Sequence, residues 1–438
     1  MSSKHPYFSI VMPTRNRAEM LSYAIKSVLN QDFEDFEIIA SDNFSTDNTY
    51  DVVNGFGDKR LQYFKTPAPF SIDESWNFAI SKATGRYITF LSDDDAYLSF
   101  RLKKAFEVIS RTDTKLLVHK YAGYYPKGNE FQTTTSSKLG KNSLTIPWFS
   151  GKFAEVNAQD TIHHVYSKLE HYFTHPIAAP IYFSDMPHVS DAFYHQSIIE
   201  NVSRKVPKII NSRQGDIYLG VNVLNEVEKY GFLDMPLTIF STYPEQTTSQ
   251  STMYGMQGNR AKADAETKFK QVPLKFWTPT NSLADILLEV LNDNSSIDPK
   301  VQISWDNYFS KCSSDLAIME NAGINVDKFR KELNETVKEY VENGLVASES
   351  LENENQQRNL KQMFWQKVEN FSMAKNFRMR IDKSANARYW RKLIFDGNIY
   401  GFMSILDCAN FMEESFFTDV KEFWLGRSFF LPRDSKLN

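Results

Sequence analysis

The sequence has few of the residues that mark several large classes of protein. It contains 2 cysteines in 438 residues, Cys312 and Cys408, which form neither a CxxC pair nor a zinc-type spacing. This excludes a disulfide framework and favours a reducing compartment. No apolar run approaches the roughly 20 residues needed to cross a bilayer. The N-terminus lacks the basic-then-apolar pattern of a signal peptide. We therefore expect a soluble, cytoplasmic protein.

Strong net charge and glycine-rich phosphate loops are missing as well. The formal net charge of -4 provides no electrostatic footprint for nucleic acid, so no nucleic-acid partner is expected. No GxGxxG follows the first predicted strand, which disfavours a dinucleotide-binding Rossmann enzyme, and no GxxxxGK[ST] occurs, which excludes a P-loop NTPase. With 42% hydrophobic and 14% aromatic residues, the chain can still bury a large core, and its length favours two or three domains.

The first hundred residues alternate between strand and helix patterns. Short β-prone runs are predicted as strands at residues 7–12, 36–41, 61–64 and 87–91. Between them, apolar residues recur at helical spacing. Such alternation implies parallel strands joined by right-handed crossovers. The predicted fold class is therefore α/β, with a mostly parallel sheet flanked by helices, and ligands are expected beyond the carboxyl ends of the strands.

Three adjacent carboxylates, Asp93, Asp94 and Asp95, follow the fourth predicted strand. Like charges at this spacing repel, so something should offset them. A hard divalent cation that binds carboxylates, waters and substrate phosphates would do so at the mouth of a parallel sheet. The alternative is a solvated turn whose Asp residues cap the helix that starts near Ser99 or Phe100.

Two segments carry a resemblance to a known family. They are "FSIVMPTRNRAEMLSYAIKSVLNQDFEDFEIIASDNFSTDNT" and "WNFAISKATGRYITFLSDDDAYL". Both resemble the family 2 glycosyltransferases of the GT-A fold, specifically over residues 8 to about 110 and more weakly to about 250. The resemblance implies an inverting enzyme that uses Mn²⁺ or Mg²⁺. Such an enzyme moves a sugar from a nucleotide-diphosphate donor, here expected to be a UDP-sugar, to a hydroxyl of a glycan or lipid-linked saccharide in surface polysaccharide assembly.

The resemblance also implies roles for individual residues. The nucleotide is expected to contact Pro13, Thr14, Arg15, Asn16, Asp42, Asn77 and Asp93. Among these, Asp42 would accept a hydrogen bond from the base, and Asp93 would contact the ribose. The metal ligands would be Asp94 and, secondarily, Asp95. The usual "DSDD" pattern reads "SDDD" here, with Ser92 in the first position.

A general base is expected downstream, because an acceptor hydroxyl does not ionise near neutral pH unaided. Family members usually supply it from a Glu-Asp pair that opens a helix. In "SRQGDIYLGVNVLNEVEKYG", the position that resembles this base is Asp216, with Gly215 where Glu is common. The alternative is an Asp that only complements the dipole of the helix N-terminus.

Two departures from the family pattern leave other functions open. Relatives often have "ARN" where this chain has Ser75, Trp76 and Asn77, and Ser241 and Tyr243 replace the Arg and His of "YRIHPEQTS". These losses motivate an alternative, a degenerate, non-catalytic glycan-binding or scaffolding protein. A second alternative is a nucleotidyltransferase, although "PTRNRAEM" lacks the glycines that such an enzyme normally places after its first strand.

The histidines are concentrated in one region. Six of the eight are His163, His164, His171, His175, His188 and His195. The pair at 171 and 175 could share a helical face toward a metal, but Pro176 predicts that the helix ends there. Packing or acceptor contacts are therefore favoured. Acceptor-side candidates are Asp185, His188 and Asp191.

The rest of the chain predicts a division into domains. Residues 1–260 would be the GT-A domain, with a nucleotide-binding half (1–110) and an acceptor half (111–260), followed by a linker at 261–280 and an all-α accessory domain at 281–438. Residues 244–265 would be a lid or a linker. Segment 387–406 would be a packed helix or a peripheral contact with the inner face of the membrane.

Overall fold

The computed structural model describes residues 5–126, 142–147, 149–169, 172–174, 183–211, 215–241, 269–321, 324–347, 392–396, 400 and 402–416. The strands are β1 Phe8–Thr14, β2 Phe36–Asp42, β3 Leu61–Lys65, β4 Tyr87–Phe90, β5 Ala96–Tyr97, β6 Leu116–Tyr125, β7 Ser143–Pro147, β8 Phe153–Asn157, β9 Tyr172–Thr174, β10 Phe183–Asp185, β11 Ala192–His195, β12 Lys229–Ser241 and β13 Lys392–Asp396. The helices are α1 Ala18–Leu29, α2 Thr49–Gly55, α3 Ile72–Ile80, α4 Arg101–Thr112, α5 Ala158–Lys168, α6 Gln196–Lys205, α7 Gly215–Leu224, α8 Pro279–Asp293, α9 Trp305–Asn321, α10 Asp327–Glu342 and α11 Ile405–Phe416.

A block of four parallel strands forms the N-terminal side of the sheet. Its order is β3-β2-β1-β4, and all three pairings are parallel. The predicted α/β class and the first four strands are confirmed. One detail differs: β1 runs through Pro13 to Thr14, where the sequence predicted a turn. Because β1 pairs with β4 only as far as Val11, Pro13 lies beyond that pairing and its missing N–H costs no bond there.

The other side of the sheet is mixed. Strand β11 lies antiparallel between β4 and β6, and the long β12 runs parallel to β6. Strands β7 and β13 extend the edge by antiparallel pairing. Because β1, β2 and β4 are parallel, their carboxyl ends meet at one edge, which is where Asp93–Asp95 follow β4.

Each face of the sheet buries its own apolar cluster, as alternation along a strand requires. On β1, Ile10 and Met12 face one cluster with Leu21 and Ile25 of α1, whereas Val11 faces the other. The second cluster continues through α7 into α8 and α9. Both faces are therefore covered, as parallel sheets need.

Helices α8, α9 and α10 share this second core with the N-terminal part of the chain. Helix α8 packs against α7, and α9 packs against α8 and α5. The predicted helices at 282–293 and 327–344 are confirmed, whereas the one predicted at 359–371 lies outside the described residues, as do residues 261–268 of the predicted linker. The predicted domain boundaries stay a prediction.

The last described segments differ from the predicted all-α domain. Strand β13 pairs with β7 of the main sheet, and α11 packs against α1, β5 and β12. The helix predicted for 387–406 is therefore wrong over 392–396, where lateral strand pairing prevails over the local pattern. Residues 387–391 lie outside the described part. No helix that the structure describes is long and apolar enough to cross a membrane.

Candidate active site

The three carboxylates after β4 are buried. Asp93, Asp94 and Asp95 are 5%, 3% and 0% exposed. The following helix begins only at Arg101, too far along the chain for these side chains to cap it. The alternative of a solvated capping turn is therefore wrong. Buried carboxylates need compensating charge or hydrogen bonds.

An arginine from the other side of the site supplies part of that compensation. Arg17 precedes α1, and its Nη1 lies 3.1 Å from Asp93 Oδ1 and 3.1 Å from Asp94 Oδ2. Burial raises the pKa of Asp93, and the Arg17 guanidinium opposes that rise. One cation thus bridges two carboxylates whose oxygens converge on a single point.

Asp95 is turned toward the protein interior. Its Oδ1 accepts from the Ser241 backbone N–H at 2.9 Å, and its Oδ2 accepts from Ser190 Oγ at 3.1 Å. Burial and the neighbouring Asp94 carboxylate raise the pKa of Asp95 well above its usual range. Protein donors contact both oxygens of Asp95, and its role as a metal ligand stays a prediction. The Ser241 contact uses a main-chain donor, so replacement of the family Arg does not remove it.

Arg17→Gln tests how far the bridging cation stabilises this cluster. We expect a loss of about 2–3 kcal/mol of unfolding free energy, the scale of hydrogen bonds to buried charged groups. A divalent cation would supply the missing charge, so Mn²⁺ should raise the melting temperature of Arg17→Gln more than that of the unmodified protein. Thermal denaturation with and without Mn²⁺ measures both effects.

The matched control is Arg15→Gln, which removes the same charge from an exposed side chain two residues away. This variant should melt within about 0.5 kcal/mol of the parent, as ordinary surface changes do. Equal losses in the two variants would contradict the bridging role of Arg17.

The segment at the end of β1 positions Asp93. Thr14 Oγ1 donates to Asp93 Oδ2 at 2.7 Å. Asn16 has a φ of 54°, a left-handed conformation that Asn tolerates better than most residues. The Asn16 N–H donates to Ser45 Oγ at 2.9 Å, and Asn16 Oδ1 accepts from the Thr46 N–H at 2.8 Å. The two loops at this edge therefore hold each other, with Arg15 and Asn16 exposed at the rim.

Asp42 has a different environment from the one predicted. It is 1% exposed, and its oxygens accept from the Ser45 N–H at 2.7 Å and from Tyr63 Oη at 2.6 Å. These bonds shape the turn after β2. Recognition of the base by Asp42 stays a prediction, and the geometry favours a structural task.

The side-chain amide of Asn77 also forms hydrogen bonds with the protein backbone. Its Nδ2 donates to the carbonyls of Asp73 and Ile210, at 2.7 and 2.6 Å, and its Oδ1 accepts from the N–H groups of Ile209 and Ile210. Asn77 therefore holds the 209–210 backbone, and its contact with the nucleotide stays a prediction. Its neighbour Trp76 packs on Phe90, with ring centroids 5.7 Å apart.

Helix α7 places Asp216 close enough to Tyr194 to act on its phenol. Asp216 lies in the first turn and is half-buried. Its charge contributes to the raised pKa of the buried Tyr194 phenol, after burial itself and Asp191. Tyr194 Oη donates to the His188 carbonyl at 2.7 Å, and Ser190 of the same segment contacts Asp95. Residues 188–191 therefore contact both Tyr194, which is near the predicted base, and Asp95.

Gly215 stands where relatives often have Glu, and the packing around residue 215 explains why this chain has Gly. A Cβ on Gly215 would lie 2.2 Å from Ile210 Cγ2, closer than any real contact. Ile210 cannot yield easily because Asn77 holds its backbone at both N–H and C=O. Glu at 215 is thus incompatible with this arrangement.

Gly215→Ala should therefore destabilise the protein by about 1–3 kcal/mol through overpacking. Gly55→Ala is the control, since a Cβ there meets nothing within 4 Å. In helix α2 that change should be neutral or stabilising by up to about 1 kcal/mol. Urea denaturation of both variants measures the difference, and an unchanged midpoint for Gly215→Ala would contradict the close contact.

The acceptor-side candidates form a second cluster. The His188 N–H donates to Asp191 Oδ1 at 2.8 Å, and His188 Nδ1 lies 3.4 Å from Asp191 Oδ2. Asp191 is 1% exposed. Asp185 lies in β10, which pairs with β9. Their acceptor role stays a prediction.

The remaining histidines do not form a metal site in the described part of the chain. His195 caps α6 by accepting from the Ser197 N–H, and His163 and His164 lie on α5. The pair at 171 and 175, Tyr243 and the segment 244–265 lie outside the described residues.

A fully buried arginine beneath the site was missed by the sequence. Arg101 is 0% exposed, and its guanidinium lies between the rings of Tyr97 and Phe193, 3.8 and 4.1 Å from their centroids. It donates to Thr89 and Thr238 hydroxyls at 2.9 and 3.1 Å. Burial lowers its pKa to about 10. A lone Arg in an amphipathic helix pattern carries no sequence signal that predicts such burial.

The donor set at Asp93 and Asp94 fits a hard divalent cation. Their converging oxygens are the ligands that Mg²⁺ and Mn²⁺ prefer, with substrate phosphates and waters completing the shell. No group of three or more His, Cys, Asp or Glu side chains within the described ranges could hold a metal by itself.

Comparison with known proteins finds a family model and a solved structure that are similar to this chain. A sequence profile described as "Glycosyl transferase family 2" matches residues 9–170. The solved structure of S. aureus TarS 1–349 in complex with UDP-GlcNAc is similar with a TM-score of 0.42 and 17% identity, over 71% of this chain and 81% of that one.

Curated relatives are similar over part of their length. A GalNAc(5)-diNAcBac-PP-undecaprenol beta-1,3-glucosyltransferase of Campylobacter jejuni is 34% identical over 158 residues, which is 34% of this chain and 51% of the relative. The Escherichia coli UDP-Glc:alpha-D-GlcNAc-diphosphoundecaprenol beta-1,3-glucosyltransferase WfaP is 29% identical over 117 residues, 27% of this chain and 45% of the relative. This chain spans about half the length of the curated relatives it matches. The matched segment contains β2 to β4 and the carboxylates Asp93 and Asp94, and over residues 9–170 this chain is similar to glycosyl transferase family 2.

Proposed function

We propose that the protein is an inverting glycosyltransferase that moves a sugar from a UDP-sugar to a hydroxyl of a lipid-linked saccharide or glycan in surface polysaccharide assembly. The observation that carries the proposal is that Asp93 Oδ1 and Asp94 Oδ2 converge on one positively charged atom, Arg17 Nη1, 3.1 Å from each, at the carboxyl ends of parallel strands. The matched relatives that act on diphosphoundecaprenol-linked sugars support the acceptor class.

In the proposed reaction the acceptor oxygen attacks the anomeric carbon and the bond from that carbon to the diphosphate breaks. The nucleoside diphosphate leaves with the electron pair, and the acceptor proton passes to the Asp216 carboxylate. A divalent cation bound at Asp93 and Asp94 would stabilise the charge of the leaving group. Thr14 keeps Asp93 in place, and the cation would take the position between the two carboxylates that Arg17 Nη1 holds in this structure. Burial of the cluster strengthens every electrostatic interaction within it.

The test begins with the donor. UDP, UDP-glucose, UDP-GlcNAc and GDP-mannose are screened by thermal shift with and without Mn²⁺. A ligand at about 100 times its Kd adds roughly 2.7 kcal/mol of stability, so binding should raise the melting temperature measurably. We expect a uridine compound to stabilise the protein only with the cation.

Turnover then decides between an enzyme and a binding protein. The stabilising donor is incubated with a synthetic polyprenyl-diphosphate N-acetylhexosamine, and release of UDP and the anomeric configuration of the product are measured. A β-linked product from an α-linked donor supports inversion. Binding of the saccharide without UDP release would favour a glycan-binding protein, and pyrophosphate release from UTP and a sugar phosphate would favour a nucleotidyltransferase.

A further inference from the structure

Helix α7, which carries Asp216, is joined to α8 through one carboxylate. Asp293 Oδ2 at the end of α8 accepts from Tyr218 Oη at 2.8 Å and from Asn211 Nδ2 at 3.0 Å. Asn211 precedes α7 and Tyr218 lies two residues after Asp216. Asp293 therefore binds residues on both sides of the turn that bears the proposed base.

A buried polar pair continues this contact along α7. Asn294 Nδ2 donates to Asn222 Oδ1 at 2.7 Å, and the two residues are 1% and 0% exposed. Asn222 Nδ2 donates in turn to the Tyr218 carbonyl at 2.9 Å. A buried hydrogen bond of this kind favours one register of the two helices, because any slip leaves its groups unsatisfied.

The segment before α7 is also held from the opposite side. Asn77 of α3 binds the backbone of residues 209–210, and Lys208 Nζ lies 2.8 Å from Asp73 Oδ2. Ile210 packs directly on Gly215. The start of α7 thus lies between α3, which belongs to the nucleotide-binding half, and α8, which lies outside the family match.

We infer that Asp293 is a positioning residue that sets where the Asp216 carboxylate stands, and that the helical region after residue 279 serves catalysis through it. The inference rests on the proposed function of Asp216 as the base. Asp216 lies in the first helical turn, so its side-chain position follows from where the helix begins. A displacement of about 1 Å in a reacting group can cost on the order of 10²-fold in rate.

The experiment compares Asp293→Ala with Asp285→Ala. Asp285 lies on the same helix, but its Oδ1 accepts from the N–H groups of Gln271 and Val272, away from α7. We expect Asp293→Ala to lower kcat about tenfold, with the donor KM within twofold, and Asp285→Ala to leave kcat unchanged. Tyr218→Phe removes one of the two bonds and should give a smaller loss. Amide hydrogen exchange over residues 215–219 should accelerate in Asp293→Ala alone.

The decisive variant combines Asp293→Ala with Asp216→Asn. If Asp293 acts through the base, adding Asp293→Ala to the Asp216→Asn variant should lower the residual rate by less than twofold, because residues that act as a unit are not additive. A full tenfold loss in that background would overturn the inference, as would unchanged hydrogen exchange or a rise in donor KM alone. If the unmodified protein transfers no sugar, the proposed function fails, whereas hydrogen exchange still decides whether Asp293 fastens the start of α7.

Discussion

Asp94→Asn should remove the Mn²⁺-dependent response to the nucleotide sugar and lower kcat/KM by about 10²–10³-fold, the scale on which loss of one preorganised electrostatic contact slows an enzyme. Asp94 offers an oxygen that converges with Asp93 on the proposed cation position. An amide keeps the shape but not the charge, so the donor diphosphate would lose its cation. Thermal shift with and without Mn²⁺, followed by turnover, measures both effects.

Asp32→Asn is the matched control for this prediction. Asp32 is exposed and precedes β2, so it lies at the amino end of the parallel strands, opposite the carboxylate cluster. This variant should bind and turn over like the parent. If Asp94→Asn keeps the same response to Mn²⁺, the cation is not held by the carboxylates after β4.

Asp216→Asn should lower kcat by about 10²–10⁴-fold, the range that a positioned general base contributes. The donor should still bind, because the proposed role of Asp216 is to accept the proton of the acceptor hydroxyl. A loss in kcat with little change in donor affinity is therefore expected. Steady-state kinetics and a UDP titration separate the two quantities.

The alternative role of Asp216, a charge that complements the helix dipole, has its own control. Asp160 occupies the first turn of α5 and is exposed. Asp160→Asn removes a comparable dipole interaction, worth about 0.3–1 kcal/mol, with no expected effect on turnover. If Asp216→Asn costs only that much stability and retains full kcat, Asp216 is not the base, and the His188–Asp191 pair becomes the next candidate.

The three adjacent carboxylates show how much the local sequence pattern can predict about a site. A β-prone run followed by Asp93–Asp95 was enough to place them at the carboxyl end of a strand. Their separate roles depend on distant partners: Asp93 and Asp94 face Arg17, whereas Asp95 binds Ser190 and the Ser241 backbone. No pattern in the run "SDDD" distinguishes the inward side chain from the other two.

Asn77 and Asp42 show the same limit. Both occupy positions that the family resemblance connects with the nucleotide, yet Asn77 binds the backbone 133 residues away, and Asp42 is satisfied by Ser45 and Tyr63. The missing Glu at Gly215 is explained only once Ile210 is seen against it. The features at Asn77 and Gly215 are connected, because the hydrogen bonds of Asn77 hold Ile210 where a larger residue 215 cannot fit.

By itself, the sequence determined the α/β class, the first four strands, the helices around them and the edge of the sheet that carries the site. Those features follow from side-chain periodicity and from the handedness of crossovers, which depend on near neighbours along the chain. Tertiary structure alone decided that Arg17 bridges two carboxylates, that β13 joins the main sheet and that α8 supports α7. Each of these depends on packing and hydrogen bonds between residues far apart in sequence, where burial sets the cost of every unpaired polar group.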